Sequence, residues 1–264
     1  MYSFNYHRPD SLADAANLAA RLRDGKLLSG GQTLIPVMKQ RLARPSDVID
    51  IARLSELQGI YRERGALVLH AAVTHAAVAG SELVRGAIPA LARLASDIGD
   101  PHVRNRGTLG GSIANNDPAA DYPAALLALG ATVHTTKRII EAENFFTGLF
   151  STALETGEIV VKVSFPIPQA AAYEKFPSPA SRYALAGVFV ARGTSGTRLA
   201  VTGVGPGVFR LTQMEQALDA NFRVAALDGI SVDASDFTAD LHASPGYRAQ
   251  LLTIVAKRAV QKLA

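Results

Sequence analysis

Cysteine is absent from all 264 residues of the chain. Without it the chain cannot build a disulfide framework, a thiolate zinc site, or an iron–sulfur cluster ligated by this chain alone. The six histidines are scattered, with no His-x-x-x-His or carboxylate spacing that would suit a metal ion, so no metal site is predicted. Any redox chemistry of this chain must therefore use a bound organic cofactor.

Long runs of one residue class are also missing. No stretch approaches the ~18 uninterrupted apolar residues of a membrane helix, and the opening MYSFNYHRPD has no basic segment followed by an apolar run. We therefore expect no membrane span, no export leader, and a cytoplasmic location, or one at the inner face of the membrane through a larger complex.

The net charge of +4, from 27 basic and 23 acidic residues, is spread without a Lys/Arg stripe, which argues against nucleic-acid binding.

The length of the chain favours two packed units, because single domains typically hold ~100–150 residues. We predict a first domain over residues 1–168, with subdomains of about 1–55 and 56–168, and a second domain over 169–264. Short strands mixed with alanine- and leucine-rich helices predict an α+β class. Within the second domain, residues 169–179 are predicted as a connection, followed by strands at 184–190 and 198–202 and helices at 212–220 and 247–264.

The opening of the chain has the pattern of a strand, a helix and a strand. Ser11 begins a segment with apolar residues at helical spacing, and Asp14 three residues on is a weaker match to the capping box than Glu or Gln would be. Residues 26–28 read as a short strand that runs straight into Gly30 and Gly31, and residues 48–51 as another. This predicts a compact βαβ-like unit with a glycine turn at the exit of one strand.

Two glycine motifs are the main candidates for a binding site: Ser29–Leu34 (SGGQTL) and Thr108–Ile113 (TLGGSI). Converging backbone N–H groups are a common way to hold a diphosphate, and glycine permits close approach and positive φ. Neither motif is the G-x-G-x-x-G of a Rossmann fold or a Walker phosphate loop. A different dinucleotide-binding fold is therefore required.

The surrounding segments are specific enough to suggest a family. SGGQTLIPVMK, GDPHVRNRGTLGGSIANNDPAADYPAALLALGA, FFTGLFSTALETGEIVVKVSFPIP and YEKF resemble the FAD-binding medium subunit of molybdenum hydroxylases, which includes the medium subunit of carbon monoxide dehydrogenase and the flavin segment of xanthine dehydrogenase. The resemblance implies an FAD-binding domain of the p-cresol methylhydroxylase/vanillyl-alcohol oxidase type, made of two α+β subdomains. A small C-terminal α+β domain of antiparallel sheet plus helices would follow it.

The resemblance also implies which residues hold the FAD. The amides of Gly30, Gly31, Gly110 and Gly111 would carry the diphosphate. Two carboxylates would accept sugar or ribityl hydroxyls, a valine would touch the adenine or the ring system, and a lysine would reach the flavin and raise its potential. The full expected set is Lys26, Leu28, Ser29, Gly30, Gly31, Gln32, Thr33, Leu34, Ile98, Gly99, Thr108, Gly110, Gly111, Ser112, Asp117, Asp121, Val160 and Lys175.

The same resemblance implies an oxidoreductase that works as part of a complex. A large subunit would carry the molybdopterin cofactor and a small subunit two [2Fe–2S] clusters, assembled as a dimer of heterotrimers. The chain would contribute no catalytic side chain of its own. Its FAD would collect electrons from the clusters and deliver them to an external acceptor.

Competing interpretations stay open at the level of sequence. Asp121 is also well placed to cap a helix that begins at Tyr122 and Pro123. A third glycine segment, residues 203–207, is favoured as a structural turn, because Pro206 lacks an amide that a phosphate loop would use. For the whole chain, the alternatives are a stand-alone FAD oxidoreductase of the same fold acting on a small alcohol, sugar or nicotinamide donor, or an assembly module that has lost its cofactor.

Overall fold

The N-terminal unit is built around a small parallel sheet in the computed structural model, which describes residues 1–263. Its elements are β1 (Asn5–His7), α1 (Leu12–Arg21), β2 (Gly25–Leu28), α2 (Leu34–Lys39) and β3 (Asp47–Asp50). The strand order is β1-β3-β2, and both pairings are parallel, so the predicted βαβ-like unit is confirmed. Ser11 caps α1 by accepting from the amide of Asp14, as its spacing predicts.

The second unit carries a five-stranded antiparallel sheet in the order β4-β5-β10-β6-β7. A 3-10 turn at Ser55–Leu57 precedes it. Its elements in chain order are β4 (Ile60–Glu63), β5 (Ala66–His70), α3 (His75–Gly80), α4 (Glu82–Ala87), α5 (Pro89–Ser96), α6 (Pro101–Arg106), α7 (Leu109–Asn115), α8 (Tyr122–Leu129), β6 (Thr132–Thr135), β7 (Ile139–Glu141), α9 (Ala142–Phe145), the hairpin β8 (Phe146–Gly148) and β9 (Ser151–Thr152), and β10 (Val160–Pro166).

The C-terminal unit is a four-stranded antiparallel sheet covered by two helices. Its elements are β11 (Ala170–Pro177), β12 (Ala184–Gly193), β13 (Gly196–Thr202), β14 (Phe209–Arg210), α10 (Thr212–Ala220), a 3-10 turn (Val224–Leu227) and α11 (Pro245–Gln261). The prediction of a connection over residues 169–179 is wrong, because most of that stretch forms the edge strand β11. Pairing to the buried strand β12 determines its structure, and a local pattern does not reveal such long-range pairing.

Helix α8 joins the second and third units. All eight of its residues are buried, because it lies between the antiparallel sheet of the second unit and strands β12 and β13 of the third. Phe189 and Tyr173 continue the same apolar core into the C-terminal sheet. Among residues 1–263, no helix is long and apolar enough to cross a membrane.

Candidate functional site

The first glycine motif leaves the carboxyl end of strand β2 and leads into α2. The amide nitrogens of residues 29–34 donate no hydrogen bond to any part of the chain that the structure describes. Gly31 has a φ of +73°, a left-handed conformation that favours glycine. Six consecutive amides without a protein partner among the described residues are a run of available donors, which is suited to an anionic group such as a diphosphate.

The second glycine motif lies directly against the first. A Cβ added to Gly30 would come within 2.1 Å of the carbonyl oxygen of Arg106, so only glycine permits this contact between the two backbones. The hydroxyls of Ser29 and Thr108 are 3.0 Å apart and hydrogen-bonded, although 79 residues separate them in sequence. The two motifs, distant in sequence, are therefore in contact in the fold.

The structure corrects the role expected for the second motif. It is the first turn of helix α7, with Thr108 as its N-cap, and not an open loop. The amide of Gly110 donates to the carbonyl of Ala71, and the amide of Gly111 donates to the Thr108 hydroxyl. Since both amides already have protein partners, the free donors of the site belong to the first motif.

Two of the predicted residues, Asp121 and Lys175, form a buried cluster with Tyr173 at the boundary with the C-terminal unit. Lys175 on β11 places its Nζ 2.9 Å from a carboxylate oxygen of Asp121, and the same oxygen accepts from the hydroxyl of Tyr173. The side chains of Lys175 and Asp121 are each only 5% exposed. Burial raises the pKa of Asp121 above its ordinary value, while the Lys175 ammonium and the Tyr173 hydroxyl act in the opposite direction.

This geometry excludes the simpler interpretation of Asp121. Although it occupies the N-cap position of α8, its side chain makes no capping hydrogen bond. Its carboxylate instead ties the second unit to the third. Lys175 also donates to the carbonyl of Asp97, which leaves one of its three N–H groups available to a ligand.

The other predicted residues lie on several different elements. Asp117 uses one carboxylate oxygen to accept from the amide of Ala119. The carbonyls of Ile98 and Gly99, in the turn between α5 and α6, both accept from the guanidinium of Arg104. Gln32 and Thr33 are exposed at the start of α2, Lys26 is exposed on β2, and Val160 is buried on β10. Of the remaining members, Leu28 precedes the first glycine motif, Leu34 ends it, and Ser112 belongs to the second; all three are partly buried.

Comparison with known families identifies this arrangement. A family described as the FAD binding domain in molybdopterin dehydrogenase matches residues 2–168. The chain belongs to this family. Both glycine motifs therefore lie in an FAD-binding domain, and the chain is a component of an oxidoreductase.

Relatives of this FAD-binding domain match the whole chain. The carbon monoxide dehydrogenase medium chain of Afipia carboxidovorans is 33% identical over 98% of this chain and 96% of its own length. The nicotine 6-hydroxylase medium subunit of Paenarthrobacter nicotinovorans is also 33% identical, with the same coverage. A solved carbon monoxide dehydrogenase from Hydrogenophaga pseudoflava has a chain 36% identical to this one, with a TM-score of 0.90 over 98% of this chain and 96% of the other.

One buried histidine of the FAD-binding domain, His75, could not be singled out from the sequence. His75, the first residue of α3, packs against Gly107 just before the Thr108 cap, and its ring lies 5.4 Å from that of Tyr122. Its Nδ1 and the hydroxyl of Tyr122 are buried without a hydrogen-bond partner in the described residues. Burial, assisted by the nearby Arg104, lowers the pKa of His75 to about 4. Nothing in the sequence around it signals such an environment.

The lowered pKa of His75 predicts that the folded chain becomes less stable in acid. The imidazole of His75 takes up a proton near pH 6.5 in the unfolded chain but only near pH 4 in the folded chain. His75 therefore leaves the free energy of unfolding unchanged above about pH 6.5 and lowers it as the pH falls from there toward 4. We expect the flavin-free chain to lose about 2 kcal/mol of unfolding free energy between pH 7.5 and 5 from this group. In urea unfolding, the free energy of unfolding of His75→Phe should fall less than that of wild type over this pH range, by the contribution of His75. The control His102→Asn, at an exposed histidine, should match wild type. Equal pH dependence in all three chains would contradict the assignment.

Proposed function

We propose that this chain is the FAD-bearing electron-transfer subunit of a heterotrimeric molybdenum hydroxylase. The observation that carries the proposal is the run of free amides over residues 29–34, packed against the capped start of helix α7. A diphosphate would take its hydrogen bonds from these amides, between two backbones that only glycine allows to approach so closely. Bound FAD supplies the ability to accept electrons singly or in pairs and to pass them on.

The remaining predicted residues are assigned roles around that diphosphate. Thr108 and Ser112 would close the cradle from the second motif, beside Gly110 and Gly111. Ile98, Gly99, Lys26 and Leu34 would border the cofactor, and Val160 would contact the adenine or the ring system. The free oxygen of Asp117 would accept a sugar or ribityl hydroxyl.

Lys175 would set the chemistry of the flavin. Its ammonium is held by Asp121 and by the carbonyl of Asp97, so its position is fixed before any ligand binds. A fixed cation at the pyrimidine edge of the flavin would stabilise negative charge there and raise the reduction potential. Asp121, whose charge is already compensated by Lys175, would act through that lysine and not by accepting a ribityl hydroxyl.

The partners follow from the relatives. Both named relatives are a medium chain or a medium subunit, which supports the existence of partner subunits. In our proposal these are a large molybdopterin subunit and a small subunit with two [2Fe–2S] clusters, in a dimer of heterotrimers located in the cytoplasm. Relatives named for carbon monoxide and for nicotine resemble this chain equally. The substrate is therefore chosen elsewhere in the complex, and electrons would leave this chain for an external acceptor.

The isolated chain provides the test. We expect purified protein to bind one FAD, with a flavin absorbance spectrum, and to oxidise only artificial or nicotinamide donors. It should show no turnover of aldehydes or alcohols, because those would react at the molybdenum centre of another subunit. Mass spectrometry of the complex captured on this chain should identify molybdopterin and iron–sulfur subunits.

Two results would contradict the proposal. Robust oxidation of an alcohol or sugar by the chain alone would identify a stand-alone flavoenzyme. A chain that folds but binds no flavin at any concentration would identify an assembly module without cofactor.

A further inference from the structure

The amino edge of the parallel sheet lies away from the first glycine motif. Asn5, Asp47 and Gly25 share one row at this edge, because both strand pairings begin at these residues. The segments that precede the three strands therefore lie side by side and form what we call the amino-edge surface: residues 1–4, 21–24 and 39–46. The first glycine motif leaves the opposite edge, across strands of up to four residues that span ~13 Å.

An aromatic ring beside two arginines forms the centre of the amino-edge surface. The guanidinium carbons of Arg41 and Arg44 lie 5.6 and 5.1 Å from the centroid of the Tyr2 ring. Cations at such distances are attracted to the face of a ring, so these side chains are ordered before any partner binds. Tyr2 is nevertheless 41% exposed, and the neighbouring Phe4 and Leu42 are 37% and 75% exposed. The centre is therefore preordered, partly apolar and open to solvent.

The amino-edge surface is also cationic. Its exposed basic side chains are Arg21, Arg23, Lys39, Arg41 and Arg44. None of these five side chains forms a hydrogen bond or ion pair within residues 1–263. Asp24 is the one carboxylate of the three segments, whereas the adjacent Asp47 is buried and already accepts from the side chains of Asn5 and Ser46. An excess of unpaired positive charge therefore faces solvent at this edge.

The composition of this surface fits a protein partner with acidic side chains. Tyrosine and arginine are enriched at the centres of protein–protein interfaces. Four of the five cations are arginines, whose planar guanidiniums pair bidentately with carboxylates. A second copy of this chain does not meet the requirement, because in a two-fold contact the same cations would face each other.

The proposed function, on which this inference rests, includes two partner subunits. The small [2Fe–2S] subunit has to approach the flavin, and a subunit docked at the amino edge would be separated from the first glycine motif by the length of the sheet. We propose that the amino-edge surface docks the large molybdopterin subunit, through an acidic patch on that subunit. This contact holds the chain in the complex and leaves the flavin side free for the electron donor.

The first experiment measures how tightly the chain is held in the complete complex. The test variant is Arg41→Gln/Arg44→Gln, and the matched control is Arg62→Gln/Arg64→Gln, two exposed arginines at the hairpin of β4 and β5. Because the loss of central arginine contacts typically weakens an interface by tenfold or more, we expect the test variant to raise the Kd of the chain for the complex at least about tenfold in ~0.1 M salt. The difference should shrink in ~1 M salt, where the Debye length falls from ~10 Å to ~3 Å. The control should match wild type, and all three chains should keep the same flavin content.

A second experiment identifies the partner directly. The photo-crosslinking residue p-benzoylphenylalanine in place of Leu42, the most exposed apolar side chain of the amino-edge surface, is irradiated in the assembled complex. Mass spectrometry should identify a captured peptide of the large subunit that is rich in aspartate and glutamate. The yield should fall when Arg41→Gln/Arg44→Gln is added.

Several outcomes would overturn the assignment. Wild-type affinity of Arg41→Gln/Arg44→Gln for the complex would remove the arginines from the interface, and equal weakening of the control would show an effect of overall charge. Capture of the small subunit or of a second copy from position 42 would exclude the large subunit as the occupant. Arginine-dependent binding to vesicles of anionic phospholipid, with the affinity for the complex unchanged, would assign the surface to a membrane. A failure of the proposed function itself is distinguishable, because wild-type chain would then co-purify with no molybdopterin subunit.

Discussion

Gly30→Ala is expected to give a chain that folds less stably and retains almost no FAD. The new Cβ would lie 2.1 Å from the carbonyl oxygen of Arg106, and because that atom is backbone, the two glycine motifs must move apart. Overpacking of this kind typically costs ~1–3 kcal/mol, and here the displaced segment is the one with the free amides. Flavin content should be read from the ratio of flavin to protein absorbance, and stability from urea unfolding of flavin-free chain.

The matched control is Gly80→Ala, at the end of α3, where an added Cβ meets no atom within 4 Å. It should keep its flavin and stay within ~0.5 kcal/mol of wild type. A Gly30→Ala chain that folds and binds FAD with wild-type affinity would show that the contact between the two motifs does not form the cofactor site.

Asp121→Asn should destabilise the chain by about 3 kcal/mol or more, because it leaves the buried ammonium of Lys175 without a counter-charge. The substitution preserves volume and still offers an acceptor to Tyr173, so most of the effect is electrostatic. Urea unfolding of the flavin-free chain measures it. The exposed pair of Lys257 and Asp228 is the comparison, and Asp228→Asn should cost less than ~1 kcal/mol.

A second substitution separates loss of charge from loss of shape. Asp121→Asn/Lys175→Met removes both charges and should recover most of the lost stability, because no unpaired ion then remains buried. The double variant should still bind FAD, with a lower flavin reduction potential if Lys175 acts on the ring as proposed. Failure to recover stability would mean that Asp121 stabilises the boundary between the units by some route other than its ion pair.

Local patterns in the sequence are enough to predict much of the fold. The cap at Ser11, the strand running into Gly30, and the helix over residues 212–220 all depend on near neighbours, and the structure confirms them. The strand β11 could not be predicted in the same way. Its residues form a strand because the buried strand β12 pairs with them, and that pairing depends on tertiary contacts.

In the candidate site too, local features could be predicted from the sequence and those that depend on tertiary contacts could not. The glycine motifs can be recognised by composition, and their contact follows from the family resemblance. Which amides stay free could not be predicted, since the partners of Gly110 and Gly111 include a carbonyl almost forty positions earlier. The environment of His75 is equally non-local, because its burial depends on Tyr122 and on the backbone at Gly107.

The separation of the two motifs along the chain has a consequence for biosynthesis. Ser29 and Thr108 are 79 positions apart and can meet only after Thr108 has been translated, and the ion pair of Lys175 with Asp121 needs a further stretch of chain to leave the ribosome. Domains fold as units during synthesis, and the N-terminal part folds first. With the site proposed above, a nascent chain would present the free amides well before it could enclose a dinucleotide, and cofactor loading would then follow the synthesis of most of the chain.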